Sequence, residues 1–268
     1  MRAYKFKTPS EAYLALLKDV LEDPEHICSP RGQKVYEVTN AVVEIEEPNS
    51  NSLVTKDEAR NKVIADYTAK EKALYSSMSN RVEDFEKISK FWGKLANPDG
   101  TVNSAYGYLI KCLKDHGNPR FENAETVDGD ILYLANVPEN REEIEGAMRT
   151  PWQWCVESLK GDKDTRQAIM RFSRPEHFYK GVKDFTCTTH GNWLIRDNAL
   201  HLSIVMRSND LVKGFSFDVP FFISLMQDML EELKTVYPDL KIGKYTHMAH
   251  SLHIYEGTLE TVRKMIGQ

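Results

Sequence analysis

Residues 206–222 read MRSNDLVKGFSFDVPFF. Within this stretch one aspartate, Asp218, stands among four phenylalanines: Phe215, Phe217, Phe221 and Phe222. Aspartate is a preferred residue at the N-cap of a helix, and a proline such as Pro220 is tolerated in the first helical turn. The run FFISLMQDMLEELKTV, which begins at Phe221, has apolar residues at helical spacing. The local sequence therefore predicts a helix over 216–236 with Asp218 as its N-cap. The alternative is a buried carboxylate with a functional role.

The composition excludes several classes of protein. The 268 residues carry a net charge of −5, and this acidic balance argues against direct binding to a nucleic-acid backbone. The four cysteines are widely spaced without a CxxC pair, which indicates neither a zinc site nor a disulfide framework. No apolar signal segment follows Met1, and no apolar run is long enough to span a membrane. We therefore expect a cytoplasmic protein that contacts no membrane.

Helix and strand patterns do not alternate regularly along the chain. Thr8 and Glu11 have capping-box spacing before an amphipathic run, and VYEVTNAVVEIEE reads as a strand. Two helices are predicted within 56–93 and another over 143–160, whereas 166–206 and KYTHMAHSLHIYE are rich in β-forming residues. This order favours an α+β fold over a doubly wound sheet, with residues 1–268 forming a single domain.

Two local groups of reactive residue types each allow more than one interpretation. Cys187, in a β-rich run, is either a small buried apolar residue or a thiolate supported by Arg196 or Arg207. His247, His250 and His253 are spaced three apart in a predicted strand. Such positions point to opposite faces, so the three imidazoles are not expected to converge on a metal.

Five short motifs occur in a fixed order: NSAYGY, DKDTRQAIMRFSRP, DFTCTTH, MRSNDLVKGFSFDVPFF and SLHIYE. Together they span about 106–255 and resemble the motifs of the thymidylate synthase family. The resemblance implies a mixed β-sheet packed with helices and a homodimer that associates through the sheet and shares its active sites. It also implies 5,10-methylenetetrahydrofolate as the co-substrate, with no metal.

The resemblance assigns the catalytic work to a few residues. Cys187 would add as a thiolate to C6 of a pyrimidine, and C5 would then attack the one-carbon unit. Glu71 would organise water and move protons, unless it is a solvated helix acid beside Lys70 and Lys72.

Further residues would bind the ligands in the family manner. Arg207 and Ser208 would hold the 5′-phosphate, and Arg166 would reach the phosphate in the neighbouring subunit. His253 and Tyr255 would bind the sugar 3′-hydroxyl. Trp92 and Tyr106 would line the folate and pyrimidine pocket, and Asp210 would be a buried support near the cofactor and the nucleotide.

The sequence also departs from the family pattern. Gln167 follows Arg166 where the family has two adjacent arginines, and the lost phosphate contact could come from any of three others: Arg31, Arg171 and Arg174. Arg31 lies one position from the expected N-terminal phosphate arginine. Leu95 replaces a second tryptophan near the folate, and the 13 residues from Glu256 to Gln268 are a shorter tail than the family's closing segment.

Asp218 occupies the position of a family asparagine that reads uracil. An ionised carboxylate only accepts hydrogen bonds, so it complements the N4 amino group of cytosine and a protonated N3, and such protonation would activate C6. The bacteriophage cytidylate hydroxymethylases resemble this chain at that aspartate and in the RSND stretch. We therefore predict transfer of a one-carbon unit to dCMP, with water completing 5-hydroxymethyl-dCMP as a precursor of modified DNA in the host cytoplasm.

Three alternatives remain open from the sequence. Hydride transfer from the folate would give a cytidylate methyltransferase, and a preference for CMP would fit a hydroxymethylase of nucleoside-antibiotic pathways. A protein that binds the nucleotide without turnover is the third. The shorter tail and Leu95 suggest a wetter site, which favours attack by water over hydride transfer.

Overall fold

In residues 1–49, 52–112 and 149–268, which this computed structural model describes, eight strands form one mixed sheet. The strands are β1 (Ala3–Phe6), β2 (His26–Cys28), β3 (Val35–Ile45), β4 (Ile169–Arg171), β5 (Thr188–Arg196), β6 (Ala199–Met206), β7 (Asn209–Asp210) and β8 (Lys241–Tyr255). Their order is β1-β3-β8-β6-β5-β4, with β2 also pairing with β3 and β7 with β8.

The sheet combines parallel and antiparallel pairs. β1 runs parallel to β3, and both β6 and β7 run parallel to β8. The pairs β2–β3, β3–β8, β4–β5 and β5–β6 are antiparallel. Asp197 and Asn198, both with positive φ, form the tight turn between β5 and β6. The mixed sheet confirms the predicted α+β class.

The helices of the described residues are α1 (Pro9–Glu22), α2 (Glu58–Ser76), α3 (Val82–Glu86), α4 (Tyr106–Lys111), α5 (Pro151–Gly161), α6 (Ser216–Leu233) and α7 (Leu259–Ile266). The predicted capping box of α1 is present, since Thr8 and Glu11 bond each other's backbone N–H groups. Of the helix predicted over 143–160, residues 143–148 and the DILYLANV segment lie outside the described ranges. No helix within those ranges is long and apolar enough to cross a membrane.

The core lies on one face of the sheet. Strand β6 alternates strictly, with Leu200, Leu202, Ile204 and Met206 buried while the residues between them are half-buried. Helices α1 and α6 pack on the buried face, against β3, β8 and β6. Helix α6 is buried along nearly its whole length, from Phe217 to Leu233, because it lies between the sheet and α2.

The predicted cap at Asp218 is wrong. Leu211–Phe215 form a π-helical turn that continues directly into α6, so the chain is already helical before Asp218. The carboxylate that caps this segment belongs to Asp210, whose Oδ1 accepts the Val212 N–H at 2.9 Å. Asp218 is the third residue of α6, and its side chain is available for other contacts. The helix also ends at Leu233, three residues earlier than predicted.

Candidate active site

The pairing of β5 with β6 places Arg207 beside Cys187. The register ends with Thr188 opposite Met206, and just beyond it the Arg207 N–H donates to the Cys187 carbonyl at 2.9 Å. The Arg207 guanidinium then lies 3.5 Å from the Cys187 sulfur and over the Phe185 ring. Arg196, the other candidate cation, is at the opposite end of β5, where it donates to the Ile195 carbonyl. Arg207 is therefore the arginine that supports this cysteine.

Burial and neighbouring charges act in opposite directions on the pKa of the Cys187 thiol, and burial has the larger effect. Burial raises its pKa, and the carboxylates of Asp218 and Asp184 act in the same direction. The positive charges of Arg207 and Arg31 lower the pKa, but they do not outweigh burial. The nucleophile predicted from the sequence is thus a protonated thiol at neutral pH in the protein alone, and a thiolate requires a change in these neighbours.

Asp218 faces an aromatic wall and one amide. Phe217 and Phe221 are buried, and Phe217 stacks on Tyr67 with ring centroids 4.1 Å apart. The Asp218 Oδ2 accepts a hydrogen bond from Asn209 Nδ2 at 2.7 Å. Burial raises the pKa of Asp218 to about 7, against the lowering effect of that hydrogen bond. The carboxyl group can therefore gain or lose a proton near neutral pH.

Glu71 is buried rather than solvated. Its side chain is only 8% exposed, and its Oε1 accepts a hydrogen bond from the Tyr75 hydroxyl at 3.1 Å. Burial, with a contribution from the charge of Asp218, raises the pKa of Glu71 to about 8. Lys70 pairs with Asp66 instead, at 2.8 Å. The interpretation of Glu71 as a solvated helix acid is therefore wrong, and at neutral pH the group carries a proton.

A glycine lets the helix that carries Tyr106 approach α2. A Cβ atom on Gly107 would lie 1.9 Å from the Tyr75 carbonyl oxygen, so only glycine fits this contact. The neighbouring Tyr106 is buried, and its hydroxyl accepts a hydrogen bond from Thr188, the residue after Cys187, at 2.9 Å. The close contact thus places Tyr106 between α2, which carries Glu71, and the start of β5, which follows Cys187.

Trp92 lies on the outer side of this cluster. Its indole is partly buried, packs edge-on against Phe85 and donates to the Tyr67 hydroxyl at 3.4 Å. Tyr67 in turn stacks on Phe217, so Tyr67 links Trp92 to Phe217. Trp92, predicted to line the folate pocket, is thereby connected to the wall around Asp218.

The β8 register brings the candidate sugar and phosphate residues to the same side. Asp210 in β7 pairs with His253, and Tyr255 pairs with Val35 at the start of β3. The exposed turn that holds Arg31 lies just before β3. Burial raises the pKa of both Cys187 and Tyr255, and the Arg31 charge opposes this rise at both groups. Burial lowers the pKa of His253, while the charge of Asp210 acts in the opposite direction. These five residues therefore surround one region.

The remaining predicted phosphate residues differ in position. Ser208 follows Arg207 and is half-buried, whereas Arg166 is exposed three residues before β4. Among the described residues, no hydrogen bond or ion pair joins Arg166 to Cys187. Of the arginines considered as replacements for the contact missing at Gln167, Arg174 is buried and donates to the Leu109 carbonyl at 2.7 Å.

The three spaced histidines have separate partners. His247 is fully buried against Tyr245 and Asn209, His250 is exposed beside Asn40, and His253 belongs to the region just described. No cluster of three or more His, Cys, Asp or Glu side chains suited to a metal is found in the described ranges.

The sequence did not single out Asn209, which donates a hydrogen bond to Asp218, or His247, which lies 3.1 Å from Asn209. Asn209 is part of the opening motif, and the only signal for His247 is a polar residue at a buried position of an alternating strand.

The fold is that of the thymidylate synthases. The solved structure of the thermostable thymidylate synthase A from Bacillus subtilis superposes with a TM-score of 0.63 at 16% sequence identity, covering 98% of this chain and 85% of that one. The thymidylate synthase family model matches residues 11–268, and the chain belongs to this family.

Two relatives show how the similarity is divided between activities. A deoxycytidylate 5-hydroxymethyltransferase of Enterobacteria phage T6 is 24% identical over 242 residues, covering 88% of this chain and 81% of that protein. A thymidylate synthase of Clostridium beijerinckii is 23% identical over 256 residues, covering 94% and 80%. Members of the family are one-carbon transferases that use methylenetetrahydrofolate and a pyrimidine nucleotide, and this chain is a one-carbon transferase of that kind.

Proposed function

We propose that the chain transfers the one-carbon unit of 5,10-methylenetetrahydrofolate to C5 of dCMP, with water completing 5-hydroxymethyl-dCMP and tetrahydrofolate released. The observation that carries the proposal is the Asp218 carboxyl group, which lies beside Asn209 in a wall of buried aromatic rings and within electrostatic reach of Cys187 and Glu71. The named activity of the phage T6 relative supports the same substrate.

The choice of cytosine follows from matching the hydrogen-bond acceptors of Asp218 with the donors of the base. The ionised Asp218 has acceptor positions only, and Asn209 already occupies one of them. The N4 amino group and a protonated N3 of cytosine supply two donors, whereas uracil would present its O4 acceptor to the carboxylate. Asp218 is partly exposed in the protein alone, so it is the bound base that covers it, and a base without the matching donors then leaves the carboxylate unpaired.

The proton chemistry of the site suits the same base. A carboxyl with a pKa of about 7 is well matched to share a proton with cytosine N3, which withdraws electrons from C6. Cys187 then adds to C6 as the thiolate, with Arg207 at 3.5 Å as its nearby cation. Glu71, protonated at neutral pH because its pKa is about 8, serves as a proton donor and organises water near C5.

The nucleotide is held by the region around Cys187. Arg207, Ser208 and Arg31 bind the 5′-phosphate, and the charge of Arg31 reaches Cys187 from its exposed turn. His253 and Tyr255 bind the sugar 3′-hydroxyl. The exposure of Arg166 supports a role toward the ligand of a second copy of the chain. The half-buried sheet face, such as the residues between the core positions of β6, supports a homodimer formed through the sheet.

The residues present fit the folate co-substrate. A pterin is flat and presents N–H donors, and this site offers aromatic rings in Trp92 and Tyr106 together with the partly buried carboxylate of Asp210. These three residues would hold the folate, which supplies one carbon at the oxidation level of formaldehyde.

One alternative keeps specific support. The thymidylate synthase of Clostridium beijerinckii is nearly as similar as the phage protein, which favours a cytidylate methyltransferase that ends with hydride from the folate. Leu95 in place of a family tryptophan leaves more room for water near the acceptor carbon and supports the hydroxymethyl product. A preference for CMP over dCMP would instead indicate the nucleoside-antibiotic type of enzyme.

The decisive experiment incubates the protein with tritium-labelled dCMP (label at C5), formaldehyde and tetrahydrofolate, and follows tritium release and the mass of the product. We expect release, a hydroxymethylated product and no dihydrofolate absorbance. Parallel reactions with dUMP and CMP measure base and sugar preference, and Cys187→Ser is the inactive control. A methylated product with dihydrofolate would establish the alternative, and binding of dCMP without tritium release would show a protein that does not turn over.

A further inference from the structure

A chain of buried hydrogen bonds runs from the interior of the sheet to Asp218. The Tyr245 hydroxyl lies 2.8 Å from His247 Nδ1, and His247 Nε2 lies 3.1 Å from Asn209 Oδ1. The Asn209 Nδ2 then donates to Asp218 Oδ2 at 2.7 Å. His247 and Tyr245 are adjacent on one face of β8, Asn209 belongs to the neighbouring β7, and Asp218 belongs to α6. The chain thus links two strands to the first turn of the helix.

The interior position fixes the protonation of the imidazole. His247 and Tyr245 are 0% exposed and Asn209 is 2% exposed. Burial lowers the pKa of His247 to about 3, so its ring is neutral and has one donor and one acceptor nitrogen. Every bond in the chain therefore constrains the direction of the next one.

Only one direction suits an ionised Asp218. Tyr245 donates to Nδ1, Nε2–H donates to the Asn209 carbonyl, and the Asn209 amide donates to the carboxylate. In the opposite direction the Asn209 carbonyl faces Asp218, which must then hold a proton. Its hydroxyl hydrogen is then used on that carbonyl, so the neutral carboxyl presents only an uncharged acceptor to a base and no longer favours a proton on cytosine N3. The direction of the chain is thus coupled to the charge with which Asp218 meets the base.

Gly214 makes room for this contact. A Cβ atom at position 214 would lie 2.7 Å from Asn209 Nδ2 and 3.3 Å from Asp218 Oδ2. The glycine therefore lets the amide and the carboxylate meet without a side chain between them, which is independent support for a built contact.

We propose that His247 is a positioning residue that, through Asn209, holds Asp218 as a hydrogen-bond acceptor and so determines the preference for cytosine over uracil. The inference rests on the proposed base-reading role of Asp218. It adds that selectivity depends on two residues that do not touch the base.

The test uses a matched pair of variants. The amide of glutamine can occupy the place of Nε2, so His247→Gln keeps a donor toward Asn209, whereas asparagine mimics only the Nδ1 side. We expect His247→Gln to retain most of the ratio of kcat/KM for dCMP to that for dUMP. His247→Asn and Asn209→Leu should each lower the ratio at least about tenfold, the equivalent of one lost hydrogen bond to a charged group. His250→Asn, at an exposed position of the same strand, is the control and should keep the wild-type ratio.

A second measurement does not depend on turnover. The carboxyl of Asp218 is titrated by carbon NMR in a Glu71→Gln background, with Asp218→Asn used for assignment. This background removes one of the ionisable groups whose charges interact with that of Asp218. Within the described ranges these groups are Glu71, Asp210, Cys187, Tyr67, Tyr75, Tyr106 and Tyr245. We expect Asn209→Leu and His247→Asn to raise the pKa of Asp218 by about one unit or more, and His247→Gln to raise it less.

The outcomes separate the two proposals. If the wild-type protein releases no tritium from dCMP, the proposed function fails, yet the titration still tests the hydrogen-bond chain. Thermal unfolding first checks that His247→Asn and His247→Gln are both folded. If these two variants then give the same kcat/KM ratio of dCMP to dUMP and the same Asp218 titration, the positioning role of His247 is overturned. If they differ in the expected order in either measurement, the role is supported.

Discussion

Replacing Glu71 by glutamine should make the protein more stable, and increasingly so as the pH rises. Glu71 is buried, and its pKa of about 8 in the folded protein lies well above the ordinary 4.5 of an unfolded chain. Between these values the folded protein binds a proton that the unfolded chain releases, so stability falls as pH rises. Glutamine has no proton to lose, and its carbonyl can still accept the hydrogen bond from Tyr75. The stability of the variant therefore does not fall with rising pH through this group.

The size of the effect follows from the two pKa values. Each pH unit inside the window changes the unfolding free energy by about 1.4 kcal/mol. From about pH 5 to about pH 7 the advantage of Glu71→Gln over the wild type should therefore grow by about 2.5 kcal/mol, slightly less than two full units because some unfolded chains are still protonated at pH 5. Above about pH 8 the folded protein also releases the proton, and the advantage levels off at a further gain of about 1 kcal/mol.

Urea titrations followed by circular dichroism at several pH values measure this difference. Asp66→Asn removes an exposed carboxylate earlier on the same helix and controls for the loss of one charge. The comparison between variant and wild type cancels the titration of Asp218 to first order. A constant difference between Glu71→Gln and the wild type over this pH range would refute the reasoning, because it would mean that Glu71 ionises in the folded protein as it does in water.

Three further results are expected. Asp218→Asn should shift the kcat/KM ratio of dCMP to dUMP toward dUMP by about 10²-fold or more in a competition assay, and an unchanged ratio would remove the base-reading role. Arg207→Met should slow alkylation of Cys187 by iodoacetamide about tenfold at neutral pH, since the cation at 3.5 Å lowers the thiol pKa, and an equal rate would show that this charge is irrelevant. Gly107→Ala should lower the unfolding free energy by about 2–4 kcal/mol in urea, because the new Cβ would lie 1.9 Å from the Tyr75 carbonyl oxygen; a loss under about 0.5 kcal/mol would show that α4 can shift at no cost.

The sequence predicted elements whose signals are local and complete. The capping box at Thr8 and the strand in VYEVTNAVVEIEE each need only a few neighbouring residues, and both are present. The cap at Asp218 failed because the preceding Leu211–Phe215 turn is already helical, and a π-helical turn leaves no periodic pattern in five residues. The N-cap signal was real but belonged to Asp210.

The site was harder to predict where tertiary packing decides. Glu71 stands between two lysines on a mostly polar helix, and only packing of that helix against α6 and α4 buries it. Arg196 and Arg207 lie 9 and 20 residues after Cys187, yet the β5–β6 hairpin places the more distant arginine beside the cysteine and the nearer one at the opposite end of β5. Asn209 and Asp218 meet through a turn, and His247 reaches them from a strand almost thirty residues further along the chain. No local pattern contains such contacts.

Base recognition and thiol activation become coupled when these groups are considered together. Burial favours the neutral forms of Cys187, Glu71 and Asp218. The neutral form suits Glu71 as a proton donor, whereas the proposed reaction requires Cys187 and Asp218 to ionise. An ionised Asp218 raises the pKa of Cys187, but in the proposed complex its charge is neutralised by a protonated cytosine. The charges of Arg207 and Arg31 then act on the thiol without that opposition, so its pKa falls. Uracil provides no such cation, and it would therefore be bound weakly and would also leave the nucleophile protonated.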